Sequence, residues 1–161
     1  MEASFKQTTN NKAERYRLFL PQFENLISGE KEEISVLANT ASALREAFGF
    51  FWVGFYLVKN EQLILGPFQG SIACYRISKG RGVCGTSWNE ARSLIVPDVE
   101  QFPGHIACSS LSRSEIVVPI LVNGQVKGVL DIDSDQLNSF DETDRHYLEE
   151  ITTILAKTLY Y

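Results

Sequence analysis

Apolar residues at helical spacing predict helices near both ends of the chain. From Ala13 to Ile27 they recur every three or four positions, and Pro21 predicts a kink or break inside that helix. The same period from Glu30 to Phe48 predicts a second helix, which Gly49 ends as a C-terminal glycine cap. Ser139 to Glu142 has the form of a capping box that opens a third long helix.

Between the helices, the segment from Phe50 to Val58 is rich in aromatic and β-branched residues, which predicts a strand. Its odd-numbered residues from 51 to 57 form one apolar face, which we expect to pack under the helices. The other face places Trp52 and Tyr56 on either side of Gly54. This arrangement predicts an aromatic slot, and the alternative is an aromatic stripe that covers a second apolar layer.

Further strands are predicted downstream, in a pattern typical of an antiparallel sheet. The Asn123-Gly124 pair suits a type I′ turn and predicts a hairpin. Gly66-Pro67 predicts a turn between two short strands, and the stretch from Pro97 to Arg113 predicts a long binding loop. With helices bracketing this sheet, the fold class is α+β. The predicted strands are Gln62 to Leu65, Ile72 to Ile77, Ser93 to Val96, Glu115 to Val122 and Gln125 to Asp133.

Composition narrows the classes of partner. The 161 residues are 44% hydrophobic and 22% charged, as expected for one globular domain. A formal charge of −5, without a cluster of Lys and Arg, argues against nucleic acid as a partner. The apolar runs are too short to span a bilayer, and the polar N-terminus lacks a secretory signal. We therefore expect a cytoplasmic protein that does not bind membranes.

Three cysteines, Cys74, Cys84 and Cys108, lie in settings that predict exposed thiols. An odd number cannot pair fully within one chain, so redox or nucleophilic chemistry is favoured over a structural disulfide framework. Cys84 follows a glycine-rich run before a predicted helical turn, where the helix N-terminus would lower its pKa. Buried core thiols are the alternative. A zinc site of three cysteines is weakest, because gaps of nine and twenty-three residues lack short Cys-x-x-Cys pairs.

Three carboxylates form a second candidate group. Asp131 and Asp133 share one face of a predicted strand, which suggests a ligand, although a solvated edge facing water is equally compatible. With a two-residue turn, regular pairing places Glu115 opposite Ile132. Glu115 would then lie on the face of the sheet that does not carry Asp131 and Asp133. We predict an irregular strand from Glu115 to Pro119, since one extra residue near that proline brings Glu115 to the aspartates. Alternatively, Glu115 precedes the ladder.

Several sequence strings together closely resemble free methionine-(R)-sulfoxide reductases, which are stand-alone domains of the GAF fold. The resemblance covers nearly the whole chain from Ala13. It implies a polar tail over residues 1–12 and a single GAF domain over 13–161, with the terminal helices on one face of the sheet and the ligand site on the other. The strings are Gly66-Pro67-Phe68-Gln69-Gly70, Gly82-Val83-Cys84-Gly85, Val96-Pro97-Asp98-Val99, Phe102-Pro103-Gly104-His105-Ile106-Ala107-Cys108, Ser114-Glu115-Ile116-Val117-Val118-Pro119 and Gly128-Val129-Leu130-Asp131-Ile132-Asp133-Ser134.

The resemblance also implies roles for the three cysteines. Cys108 matches the reactive cysteine, Cys74 the one that resolves it, and Cys84 a third that joins thiol exchange in some members. The implied cycle reduces free methionine-R-sulfoxide, forms an intramolecular disulfide and ends with reduction by thioredoxin or a similar dithiol. It requires no metal or organic cofactor. Relatives of this kind also imply a homodimer.

The substrate site follows in the same way. Trp52 and Tyr56 match the aromatic wall around the substrate methyl group, and Glu115, Asp131 and Asp133 match the carboxylates that hold it. Sulfoxide reduction needs a nucleophile beside a protonated carboxyl, and clustering of the three raises at least one pKa. Glu115 and Asp133 are the candidate proton donors. His105 is a weaker candidate partner for the thiolate, and a non-enzymatic GAF module that binds a small molecule or senses redox state is the competing function.

Overall fold

The computed structural model describes residues 4–105 and 111–161. Within this part the chain forms four α-helices, six strands and a short 3-10 turn at Val99–Gln101. The elements in chain order are α1 (Lys12–Ile27), α2 (Glu33–Phe48), β1 (Trp52–Lys59), β2 (Gln62–Gln69), β3 (Arg76–Ser78), α3 (Gly82–Glu90), β4 (Leu94–Val96), β5 (Ser114–Val122), β6 (Gln125–Ser134) and α4 (Glu142–Leu159).

The six strands form one sheet in the order β3-β2-β1-β6-β5-β4, and every neighbouring pair is antiparallel. Helices α1, α2 and α4 pack on one face, where they enclose the larger apolar core with the inward residues of β1, β5 and β6. Helix α3 packs on the opposite face over a second apolar cluster. The predicted α+β class is confirmed.

Alternation along β1 produces these two layers. Val53, Phe55 and Leu57 belong to the larger core, whereas Trp52 and Tyr56 belong to the cluster under α3. The strand therefore separates the structural core from the opposite face, as its sequence predicted. Phe51, which was also predicted on the core face, precedes the strand and packs against the cluster under α3.

The helix ends agree with the sequence in part. Gly49 ends α2 in the left-handed conformation at φ 66°, and its N–H donates to the Arg45 carbonyl, as predicted. Pro21 lies inside α1 without ending it, so the predicted break is absent from that helix. The capping box of α4 joins Asp141 and Asp144 instead of Ser139 and Glu142.

Two predictions for the region between β1 and α3 were wrong. Gly66-Pro67 is no turn, because β2 continues through it with a register shift against β1 between Gly54 and Tyr56. A bulge of this kind accommodates the proline within the strand. Cys74 lies outside the strands, since the third strand begins only at Arg76.

The hairpin of β5 and β6 contains the predicted register shift, at a different place. Asn123 and Gly124 have φ of 52° and 78°, as a type I′ turn requires. Pairing then shifts between Ile120 and Leu121, because Lys127 is an extra residue in β6. The segment around Pro119 is regular, which corrects the predicted location. The proline fits because it lies beyond the part of β5 that β4 pairs.

No helix in the described ranges, 4–105 and 111–161, is long and apolar enough to cross a bilayer. At the N-terminus, Phe5 is buried against Phe19, with ring centroids 5.4 Å apart. The polar stretch before α1 therefore contributes one aromatic side chain to the larger core.

Candidate active site

A cavity opens between the α3 face of the sheet and the segments that follow β2 and precede β5. Its walls combine aromatic, carboxylate and thiol groups. The lining residues are Trp52, Tyr56, Ile72, Ala73, Ile77, Arg81, Gly82, Val83, Cys84, His105, Ser112, Glu115, Asp131 and Asp133.

The register of three strands brings the predicted carboxylates together. Glu115 lies opposite Asp133 across β5 and β6, and Asp133 lies opposite Trp52 across β6 and β1. Asp131, two residues earlier on β6, faces the same side and lies opposite Gly54. The sheet thus holds two aspartates and one glutamate on the wall of one cavity.

Burial and mutual repulsion favour protonation of this carboxylate cluster, defined by Glu115, Asp131 and Asp133. Burial raises the pKa of Glu115 well above its ordinary value, and the charges of Asp131 and Asp133 raise it further. The pKa of Asp133 is also well above its ordinary value, because of burial and the charge of Asp131. Burial raises the pKa of Asp131 too, against hydrogen bonds from Glu115 and Cys84 that favour its charged form. We infer that Glu115 shares a proton with the two aspartates.

Asp131 is the member of the cluster whose burial is the most costly. Its side chain is 5% exposed, and its Oδ1 atom has no hydrogen-bond partner within the described part of the chain. A buried carboxylate oxygen without a partner is costly, so a cationic or hydrogen-bonding ligand would stabilise it.

Cys84 is buried, contrary to the prediction of an exposed thiol with a lowered pKa. It lies in the first turn of α3, and among the described cysteines it is free. Burial raises its pKa well above the ordinary value, and the charge of Asp131 raises it further. Its Sγ lies within 4.8 Å of a carboxylate oxygen of Asp131. Desolvation and three nearby carboxylates therefore outweigh the helix N-terminus.

The aromatic wall differs from the predicted slot. Trp52 stacks on Tyr56 with ring centroids 6.3 Å apart, and on Phe68 with centroids 5.2 Å apart. A Cβ at Gly54 would lie 2.3 Å from the Phe68 Cβ and 2.8 Å from the Trp52 ring. The space over Gly54 is filled, and the glycine serves to let β2 and the indole approach.

The same two aromatics hold the segment that carries Cys74. The Trp52 indole N–H donates to the Ser71 carbonyl at 2.9 Å, and the Tyr56 hydroxyl donates to the Cys74 carbonyl at 2.9 Å. Cys74 is half-buried and disulfide-bonded. The predicted reactive residue, Cys108, lies outside the described residues.

Sequence reasoning missed Arg81 and the first turn of α3, both of which line the cavity. No side chain caps this helix, so its first N–H groups are available to an anion. From the sequence, this helix N-terminus was interpreted only through its effect on the pKa of Cys84, and not as a place for an anion. His105 also reaches the cavity, where burial lowers its pKa against the opposing effect of Asp131.

With these features in place, comparison with known proteins identifies the class. The family model described as GAF domain matches residues 30–159, so the chain is a GAF domain. GAF domain-containing protein A of Dictyostelium discoideum is 58% identical over 156 residues, which are 96% of this chain and 99% of the relative.

Other relatives place the chain more narrowly. Free methionine-R-sulfoxide reductase of Escherichia coli (strain K12) is 45% identical over 150 residues, 92% of this chain and 91% of the relative. The X-ray structure of free methionine-R-sulfoxide reductase from Neisseria meningitidis, in complex with its substrate, superposes with a TM-score of 0.95 at 52% identity. It covers 98% of this chain and 95% of that one. The chain belongs to the free methionine-R-sulfoxide reductase family.

Proposed function

We propose that this protein reduces free L-methionine-(R)-sulfoxide to methionine through a cysteine nucleophile. The observation that carries the proposal is the carboxylate cluster, in which the pKa of Glu115 is raised beside two aspartates. Sulfoxide reduction needs a carboxyl that is protonated near neutral pH, and this arrangement supplies one. The names and substrate of the relatives at 45% and 52% identity support the same reaction.

The cavity offers a place for each end of a free amino acid. The ammonium group pairs with Asp131, whose Oδ1 lacks a partner in the described structure, and with the carboxylate of the cluster that does not donate the proton. The methyl and sulfur end contacts Trp52 and Tyr56. The α-carboxylate lies toward the uncapped first turn of α3.

In the proposed first step, the Cys108 thiolate attacks the sulfoxide sulfur while the oxygen takes up a proton. Transfer of the oxygen to the cysteine sulfur releases methionine and leaves a sulfenic acid on Cys108. Methionine sulfoxide is reduced by two electrons, and the cysteine is oxidised by two. Glu115 and Asp133 are the proposed proton donors, since both have raised pKa values and line the cavity.

In the second step the Cys74 thiol attacks the sulfenic acid, which releases water and forms a disulfide between Cys74 and Cys108. A dithiol protein such as thioredoxin then reduces this disulfide and restores both thiols. Cys84 is a proposed third participant in exchange. Its buried thiol and raised pKa make it a poor initial nucleophile. We also propose a cytoplasmic homodimer as the working form.

A thioredoxin-coupled assay on three substrates tests this function. We expect turnover of free methionine-R-sulfoxide, and little or none of the free S-sulfoxide or of peptide-bound sulfoxide. Activity confined to the peptide-bound form would contradict the ammonium site. Mass mapping of the disulfide formed after one turnover assigns the resolving cysteine as Cys74 or Cys84.

The competing function is a non-enzymatic GAF module that binds a small molecule. Cys108→Ser separates the two functions, because an enzyme loses turnover while substrate binding is largely kept. A binding module tolerates the substitution. Wild-type turnover in this variant would exclude Cys108 as the nucleophile.

A further inference from the structure

One thiol and two carboxylates on the cavity wall form a set of possible metal ligands. Cys84, Glu115 and Asp131 each bring one ligand atom to within 4.8 Å of the other two. The three residues are 5%, 6% and 5% exposed, respectively. They belong to α3, β5 and β6, so regular elements fix their relative positions.

A second observation indicates a ligand at this place. Asp131 Oδ1 is buried and has no hydrogen-bond partner in the described ranges, although its carboxylate lines the open cavity. A cation at the cavity wall would satisfy it, because an unpartnered buried carboxylate oxygen is strongly destabilising.

We propose that Cys84, Glu115 and Asp131 bind one Zn²⁺ ion in competition with the amino-acid ligand. Cysteine and carboxylates are both established zinc ligands, and the thiolate favours zinc over calcium or magnesium. Three protein ligands leave a fourth position open to water from the cavity. On binding, the ion replaces the thiol proton of Cys84 and the proton shared within the carboxylate cluster, and both protons are released to solvent.

The distances require only a local adjustment. Four-coordinate zinc with one sulfur and several oxygens holds neighbouring ligand atoms about 3.5 Å apart. The three atoms already lie within 4.8 Å of one another. Contraction by about 1 Å completes the set. His105 lines the same cavity but is outside this group of three.

This ion would inhibit the reaction, and no step of the reaction passes through it. It would occupy Asp131, which is assigned to the substrate ammonium, and Glu115, which is a proposed proton donor, and would neutralise the negative charge of the cluster. The site also differs from a zinc site of three cysteines, because it uses Cys84 alone with donors from two strands. The metal site stands on this cluster whether or not the chain is a reductase.

Cobalt titration of the full-length chain tests the site, because Co²⁺ substitutes for Zn²⁺ and absorbs light. The background is Cys74→Ser with Cys108→Ser, in which Cys84 is the remaining thiol. We expect a thiolate-to-cobalt charge-transfer band that saturates at one equivalent and disappears when Zn²⁺ is added. Adding Cys84→Ser should abolish the band, and adding Glu115→Gln instead should weaken cobalt affinity at least about tenfold.

Asp135→Asn is the matched control, because Asp135 is an exposed carboxylate that follows the end of β6 and is outside the cluster. It should leave cobalt affinity unchanged. A thermal melt verifies that each variant is folded. If Cys84→Ser does not fold, the cobalt affinity of Glu115→Gln decides the outcome. Absence of the band in the background variant, or its persistence without Cys84, overturns the metal site.

Free methionine distinguishes the metal site from the proposed function. Methionine should raise the cobalt concentration needed for half-saturation. Cobalt binding that ignores methionine would overturn the competition while retaining the ion site, and would count against the ammonium site. Methionine binding without any cobalt band would leave the proposed function standing and remove the metal site.

Discussion

Glu115 lies directly opposite Asp133 in the ladder between β5 and β6. This pairing places two carboxyl groups side by side on the wall of the cavity. Like charges directly opposite each other in a sheet are destabilising and are ordinarily avoided. It exists because Lys127 shifts the register of the whole hairpin beyond it. A bulge that lies six residues from Asp133 along β6 thus accommodates the extra residue and leaves Glu115 on the face of the aspartates.

Deletion of Lys127 tests the role of this bulge. Without the extra residue, Leu121 still pairs with Val126 and Ile120 with Gly128, so the ladder becomes regular and Glu115 stays opposite Asp133. We expect methionine binding to be kept, because the residues on both sides of the deletion keep their partners and faces. The measurements are isothermal titration with methionine and chemical denaturation.

The matched control is Lys127→Ala, which keeps the bulge and removes only a half-exposed side chain. This variant should bind methionine as the wild type does. Lost binding by the deletion variant alone would show that the bulge positions the cluster through the local bend and twist of β6, and not through pairing alone.

The pH dependence of stability provides a second test of the cluster. The raised pKa of Glu115 means that the folded protein keeps a proton that the unfolded chain releases above its ordinary pKa of about 4.3. Stability should therefore be greatest below that pH and fall as pH rises toward the raised folded value. One retained proton contributes a slope of up to about 1.4 kcal/mol per pH unit.

Glu115→Gln should flatten this slope, since glutamine does not titrate. Denaturant unfolding of both proteins from pH 4 to pH 8 measures the difference, with Glu24→Gln on the exposed side of α1 as the control for removing one negative charge. Parallel stability curves for the wild type and Glu115→Gln would mean that Glu115 is charged in the folded protein.

Much of the fold could be predicted from patterns among residues that are near one another in the sequence. The helical period located α2 and its glycine cap, and Asn123-Gly124 located the hairpin. Alternation along β1 assigned its two faces correctly. These features depend on residues near one another in the chain, which is why a single sequence reveals them.

The missed features depend on tertiary contacts. The sequence required a register shift to unite the carboxylates, but only strand pairing shows that Lys127 is the extra residue. Cys84 follows glycines that suggested exposure, yet the packing of α3 on the sheet buries it among carboxylates. Gly54 suggested an open slot, and the approach of Phe68 fills it.

Tyr56→Phe tests the link between the aromatic wall and the cysteine segment. The variant keeps the ring against Trp52 but loses the hydrogen bond from the hydroxyl to the Cys74 carbonyl. We expect a stability loss of about 1 kcal/mol, as for one typical buried hydrogen bond. In the proposed cycle, one equivalent of methionine should still form, while formation of the Cys74 disulfide slows.

Rapid quench with mass analysis follows both steps in one experiment. Methionine release reports the first step, and loss of free Cys74 reports the second. If disulfide formation keeps its wild-type rate, the hydroxyl does not position Cys74, and its hydrogen bond serves stability alone.

Gly54→Ala tests whether close approach at this glycine holds the aromatic wall in place. The new Cβ would lie 2.3 Å from the Phe68 Cβ and 2.9 Å from the Phe68 Cα, so β2 itself has to move. We expect destabilisation of about 1 to 3 kcal/mol from overpacking. The Trp52 ring, 2.8 Å from the new atom, should also shift and weaken methionine binding.

Gly66→Ala is the comparison, because its Cβ would lie 3.1 Å from the Phe55 carbonyl and 3.5 Å from the Leu57 side chain, away from Trp52. It should be better tolerated and should leave methionine affinity intact. Denaturation, tryptophan fluorescence and methionine titration distinguish the two variants. If both lose stability equally and Gly54→Ala retains full affinity, Trp52 is positioned by its hydrogen bond to Ser71 and not by the space above Gly54.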